Sequence, residues 1–547
     1  MPFWREVPSV PSESFERVEN YLKDVDEQIS CKIGLDSVNR ELRGHIEDKA
    51  AFYMEYGVEE KEAYRRSVRD MGAPDVVGME LNKRHRLRIA KPLLVLILVL
   101  MAVGAAGELL RDGMEWNLSG ILFEISDKRH YLWGLLVLFL VMRFGYPFLL
   151  KHARGMCVIF IAVCVCLGGL YLSFTFFPGW LEYAYKTEKL PGTVSGTIWT
   201  LTSSTIFLGV VQIGILVGTV IFYRKRNQYF KGIVLLFLYQ AAGILLAAGR
   251  YWGERTYIPI LVLLLSCLGV SLYFLKKGWT NVGKGKGAAA AFAGFLILLI
   301  LWAAPQWNRV KESWQVFLAP GERASVTDAW DDAYNNVLIR ELLPHARPFG
   351  EIQLTEEEML RYGTSQWYYE DGEGVWHGEE EPAGDTADFE RHVEYEMQFL
   401  EEPSLRNILP QNYLGNYRVS WWILRYGWVP ALFLTALVLA LPILALGTAF
   451  RIKNRLGRAV AFSGGLVFAV QTVIYLIENF GFQFGAFSNF PFVSEGIVSI
   501  TGSAVLAGMI LSVYRFDIVI DEREQEHGLK DARQRLNSNS LPASKEQ

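Results

Sequence analysis

Cysteine and histidine are scarce in this chain, five and eight among 547 residues. Cys31 lies in a polar N-terminal region, and Cys157, Cys164, Cys166 and Cys267 lie inside apolar runs, with no spacing that suits a metal. The pattern predicts neither a disulfide nor a metal site of Cys/His type. No cofactor is expected, and a divalent cation is left open. Charge is sparse too, at 20% of residues against 51% hydrophobic, a balance seldom found in a soluble protein of this length. The net charge of −4 reflects no general basic surface, and no nucleic-acid partner is expected. The first ninety residues also lack an apolar run, so a cleavable signal peptide is not expected.

What abounds is apolar sequence in long runs. Crossing a ~30 Å hydrocarbon core takes about 20 residues. Runs of that size occur at 92–110, 131–150, 155–177, 198–222, 229–249, 257–275, 287–304, 421–447, 459–478 and 496–515. The expected fold class is all-α, a polytopic membrane protein of about ten transmembrane helices. Lys and Arg gather in alternate short links, at 84–91, 151–154, 224–226, 276–286 and 451–458. By the positive-inside rule this predicts a multi-pass cell-membrane protein with both termini cytoplasmic. The same count makes 305–420 a large external loop between helices 7 and 8, and places 479–495 outside between helices 9 and 10.

Around this membrane part the chain divides by composition. Residues 1–14, with three prolines, read as a flexible lead, and 15–86 as a small cytosolic helical domain. There Val18, Tyr21, Leu22 and Val25 recur at helical spacing, Leu42, Ile46 and Phe52 form a second stripe, and Gly57 and Gly72-Ala-Pro74 act as stops. His45 and Asp48 read as a solvated helix face. Helices 1–7 occupy 92–304, and the loop 305–420 contains an acidic insert, with Glu356–Glu358 and Glu379–Glu381, read as an exposed accessory element. Helices 8–10 occupy 421–515, and a charged cytosolic tail fills 516–547.

Two stretches resemble known families. Glu41 to Asp48, Gly57-Val-Glu-Glu and Met71-Gly-Ala-Pro74 resemble the permease-prefix domain found ahead of various membrane proteins of Gram-positive bacteria, a likeness that implies no chemistry. The segment 479–496 resembles the signature before the last helix of the SEDS family (FtsW, RodA and SpoVE), membrane proteins of the cell cycle and cell shape. Asn479, Gly481, Pro491, Phe492, Val493, Ser494 and Gly496 match it, while Glu495 and Ile497 replace a Tyr and a Gly. Arg309, Lys311 and Phe317-Leu318-Ala319-Pro320 resemble the basic residues and Phe-Leu-Asp-Pro that open the family's external loop. Gly427 and Ala431-Leu432-Phe433 match the entry to helix 8. The likeness spans roughly 250–515.

The resemblance implies peptidoglycan synthesis in division or cell-shape maintenance: inverting glycosyl transfer that polymerises lipid II, beside a transpeptidase (penicillin-binding protein) partner. Asp328, six positions before Tyr334, takes the place of the family's catalytic carboxylate, with Asp331 and Asp332 in the same turn. A carboxylate base removes the acceptor hydroxyl's proton as that oxygen attacks, an effect of ~10²–10⁴-fold. Arg309, Lys311 and Arg425 are candidates for the pyrophosphate, and Tyr334, Asn479, Pro491, Ser494 and Gly496 for the substrate cavity. Glu478 either lines that cavity or sits at the interface. Arg143, an intramembrane charge, either holds a headgroup or snorkels. Ala319, Ala333, Asn335, Asn416 and the pair Leu424-Arg425 depart from the family pattern. They motivate a second reading, a non-catalytic relative that binds lipid-linked precursor or scaffolds the division machinery. A third is a lipid flippase or transporter, whose sign would be broken helices at repeated positions; only one break, at 479–496, is evident.

Overall fold

The computed structural model describes residues 12–29, 35–84, 87–109, 129–176, 213–237, 257–304, 307–319, 332–354, 368–370, 376–378, 405, 409, 416–484, 490–494 and 496–517. The chain divides into two compact units, 1–90 with 449–458 and 511–547, and 91–448 with 459–510.

The first unit opens with four helices: α1 (Ser12–Gln28), α2 (Leu35–Glu55), α3 (Glu60–Met71) and α4 (Pro74–Arg84). Val18, Tyr21, Leu22 and Val25 of α1 bury against Val38, Leu42, Ile46 and Ala50 of α2 and Ala63 and Tyr64 of α3. The stripe on α2 thus runs in steps of four and ends on Ala50. Phe52, expected to extend it, is 54% exposed. Six residues beyond Ile46 it has rotated off the buried face, and it packs on Tyr53 and Tyr56 instead. The predicted stops hold: Gly57 and Gly72 have φ of 82° and 94°, and α4 begins on Pro74, where a missing N–H costs nothing. His45 and Asp48 are exposed, as a solvated face requires. In the other segments of this unit, Asn454 caps the following helix by accepting the Gly457 amide at 2.8 Å, and the Asp517 carboxylate accepts the amides of Lys453 and Asn454.

The second unit is built from apolar helices: α5 (Lys91–Leu109), α6 (Arg129–Phe176), α7 (Gly214–Arg224), α8 (Tyr257–Lys276) and α9 (Lys284–Ala303), then α10 (Trp307–Leu318), α11 (Asp332–Leu342) and α12 (Arg418–Tyr426), and finally α13 (Trp428–Arg451), α14 (Arg455–Asn479) and α15 (Ile497–Phe516). Within the described residues five are long and apolar enough to cross a membrane, namely Arg129–Ile159 of α6, α9, α13, α14 and α15. Three shorter apolar helices lie at Lys91–Ala106, Gly214–Arg224 and Ile260–Lys276. This is an all-α polytopic membrane architecture; among the described residues the exception is a two-stranded ladder, β1 (Tyr368–Glu370) against β2 (Trp376–Gly378), with Tyr369 opposite His377.

Two expected boundaries differ. The spans at 131–150 and 155–177 belong to one continuous helix, α6. The basic link Lys151-His-Ala-Arg154 contains no residue that stops a helix, so backbone bonding carries through it. The span expected at 421–447 instead breaks at Gly427 into α12 and α13. Gly427 has φ of 91°, a region that costs other residues energy, and Pro430 has no N–H with which to continue α12 by bonding the Tyr426 carbonyl four residues back. The four backbone groups at the break are satisfied by an incoming strand of chain. Gly350 and Ile352 donate to the carbonyls of Tyr426 and Leu424 at 2.9 and 2.8 Å, and Trp428 and Val429 donate to those of Arg347 and Pro348 at 2.9 and 3.0 Å.

Candidate functional site around Asn479

The C-terminal residue of α14 organises the start of α12. A helix leaves its first amides without partners, and α12 begins with Arg418-Val419-Ser420 after Tyr417, which supplies no side-chain cap. The Asn479 Oδ1 accepts the amides of Val419 and Ser420 at 2.9 and 3.2 Å, and the Tyr475 hydroxyl accepts that of Arg418 at 3.1 Å. In return the Ser420 hydroxyl donates to the Asn479 carbonyl at 2.5 Å. Asn479 Nδ2 donates to the carbonyls of Asn416 and Tyr475, both at 3.0 Å. Asn479 and Ser420 are fully buried and Glu478 nearly so. Irregular backbone near a bilayer persists only when protein or trapped water satisfies it, and here side-chain amides and hydroxyls do so.

Beyond Asn479 the chain turns at Gly481, with φ of 80°. A side chain there would meet the Asn336 carbonyl at 2.7 Å and Arg340 Cγ at 2.8 Å, so only glycine admits α11 this close. Gln483 donates its amide to Asn336 Oδ1 at 3.1 Å, and its side-chain oxygen accepts the Tyr417 hydroxyl at 2.5 Å. Arg340 clamps three segments together. Its Nε donates to the Gly481 carbonyl and its Nη2 to the Phe317 carbonyl at the end of α10, each at 2.7 Å. Its guanidinium also lies 4.1 Å from the Phe482 ring centroid. A cation at a helix C-terminus meets the negative end of the backbone dipole. Burial pushes the Arg340 guanidinium below its ordinary value.

The second half of the motif is a tight turn. Phe490 donates its amide to Ser494 Oγ at 2.7 Å, while the Ser494 amide donates to the Phe490 carbonyl at 2.8 Å. Between them Phe492 holds φ of 63°, the one positive value outside glycine among the described residues, and Gly496 follows at 104°. Phe490 is stacked on Tyr475, centroids 4.5 Å apart, so the turn rests on the residue that caps Arg418. Gly104 of α5 receives the Phe492 carbonyl; a Cβ there would stand 2.5 Å from that oxygen.

The structure buries Glu478, Asn479, Pro491 and Ser494, with Gly496 half-buried after the turn. Arg425 lies elsewhere on α12, in a surface ion pair with Glu351. Lys311 is exposed on α10, which also carries Arg309. Asp332 is the first residue of α11 and Tyr334 lies in its first turn. The side chains of Arg309, Asp332 and Tyr334, and all of Asp328 and Asp331, lie outside the described residues. Arg143 is exposed and lies 5.0 Å from the Phe144 ring. Sequence reasoning passed over Ser420, Asn336, Arg340 and Gln483. Their residue types are unremarkable alone, and only Gly481, which admits α11, hinted at a close partner. The arrangement fixes an irregular, buried, largely neutral wall beside α11 and places a cation, Arg340, at its edge.

No protein-family model matches the chain, and no curated relative matches it. Among solved structures, the chain is similar to one of a peptidoglycan synthase complex described for the coordination of polymerization and crosslinking, with a TM-score of 0.46 and 14% identity over 80% of this chain and 100% of the other.

Proposed function

We propose that the protein is a SEDS-like peptidoglycan glycosyltransferase that polymerises lipid II in cell division or cell-shape maintenance, beside a transpeptidase partner. The observation that supports this reading is the role of the signature residues. Gly481, Phe492 and Gly496 occupy the positive-φ positions, and Asn479 and Ser494 close the turns around them. A coincidental match would have no reason to fall on the positions that shape the backbone.

In the proposed reaction, Asp328 takes the proton of the acceptor sugar hydroxyl. The oxygen attacks the donor's anomeric carbon with inversion, the bond to the lipid pyrophosphate breaks, and the pyrophosphate departs with the bonding pair. Arg309, Lys311 and Arg425 offset its charge, and Asp331 and Asp332 are the alternative carboxylates. The second reading, a non-catalytic relative that binds lipid-linked precursor, is favoured by the pairing of Arg425 with Glu351, which engages one of the three candidate phosphate-binding cations.

Labelled lipid II incubated with the purified protein, alone and with a candidate transpeptidase, tests both. Glycan strands from the native chain and none from Asp328→Asn at equal membrane levels are expected. Lipid II binding without strands in either case would establish the second reading in place of the first.

A further inference from the structure

We propose that Arg154 of α6 and Arg224 of α7 form a binding site for the phosphate headgroup of an anionic phospholipid. Arg224 is the last residue of α7, and its Nη2 donates to the Leu150 carbonyl of α6 at 2.7 Å. That bond holds the end of α7 beside the stretch expected to be a loop. Because α6 continues through it, Leu150 and Arg154 stand one turn apart on the same face. Because Cα–Cβ bonds in a helix tilt toward its N-terminus, Arg154 leans toward the Leu150 carbonyl that Arg224 holds.

Two like charges held together repel unless something negative lies between them. Residues 129–176 and 213–237 contain no Asp or Glu. Among the described residues neither arginine makes an ion pair. Lys151 and Lys225 flank them and add charge of the same sign. The Leu150 carbonyl occupies one donor of Arg224, and guanidinium forks suit the paired oxygens of a phosphate. The surroundings select a lipid over a soluble anion. Along α6 the site is bordered by Phe144 on one side and Val158 on the other, both more than half exposed. A headgroup at the arginines would leave its acyl chains on that apolar surface, and basic pockets between membrane helices bind anionic headgroups by this combination.

The test uses the full chain in micelles doped with phosphatidylglycerol or phosphatidylcholine, with retained lipid weighed by native mass spectrometry. Phosphatidylglycerol is expected to be retained preferentially, with R154Q and R224Q each lowering its affinity about five-fold. Glutamine at 224 still offers an amide to Leu150; should R224Q nonetheless fail to fold, R154Q, at an exposed position, decides alone. K284Q, a charge change at the start of α9, is expected to leave retention unchanged. Equal retention of the two lipids, no loss in R154Q, or the same loss in K284Q would overturn the proposal. Displacement of the lipid by inorganic phosphate alone would make this a soluble-anion site and overturn it equally.

Discussion

The side-chain oxygen of Asn479 accepts the amide of Val419, 60 residues earlier in the chain, at 2.9 Å. One helix therefore ends where it caps another. The cap is supplied by tertiary structure because Tyr417, at the local capping position, has no acceptor in reach. Asn479→Ala removes both accepted amides and both donated bonds at a fully buried position. Orphaned buried groups cost about 1–3 kcal/mol each, and lost caps about 1. The variant is expected to lose about 2–4 kcal/mol of stability, read as a lowered melting temperature in detergent. An unchanged melt would mean that α12 is held by other contacts.

Gly104→Ala tests how tightly the Phe492 turn is packed. The new Cβ would stand 2.5 Å from the Phe492 carbonyl and 2.6 Å from the Tyr131 hydroxyl, and such overpacking costs about 1–3 kcal/mol. Gly447→Ala makes the same change in a helix with nothing within 4 Å. It is expected to be neutral or to stabilise by about 0.5–1 kcal/mol. A melt that ranks the two variants the other way would refute the packing at Gly104.

Arg340→Met keeps the side chain's length and removes its donors to Gly481 and Phe317. Hydrogen exchange at 480–484 is expected to quicken, with the C-terminal turn of α10 following. Arg340→Lys should recover only part of the protection, since one ammonium cannot reproduce the fork that spans both carbonyls. Full recovery with lysine would show that charge alone holds the three segments.

Arg65 and Arg66 hydrogen-bond the Glu62 carboxylate and hold it below the usual carboxylate range. The sign follows from that depression: the contribution to stability is present above the unfolded value, about 4.3, and is lost as pH falls through the lower folded value. Amide protection across 60–71 is therefore expected to be greater in the native chain than in Glu62→Gln above pH ~4.5. The two should converge in stronger acid. A constant difference across that range would rule out the carboxylate as its source.

The sequence by itself determined the elements whose cause is local. Apolar runs of bilayer length specify membrane helices, five of them among the described residues, and Val18, Tyr21, Leu22 and Val25, with Leu42 and Ile46, specify buried helix faces, although Phe52, expected on the second, is exposed. Gly57, Gly72 and Gly481 each announced a turn, because glycine is favoured where φ is positive. Tertiary structure decided what depends on distant partners. Whether the chain breaks at Gly427 rests on residues 347–352 arriving to satisfy four backbone groups. Asn479 was legible as part of a motif. Its work as a cap for Val419 and Ser420 was not, since a carboxamide can accept from any amide that the fold brings near. The partners of Arg340 and of Arg224 were hidden for the same reason: charge is written in sequence, but what it faces is set only when helices pack.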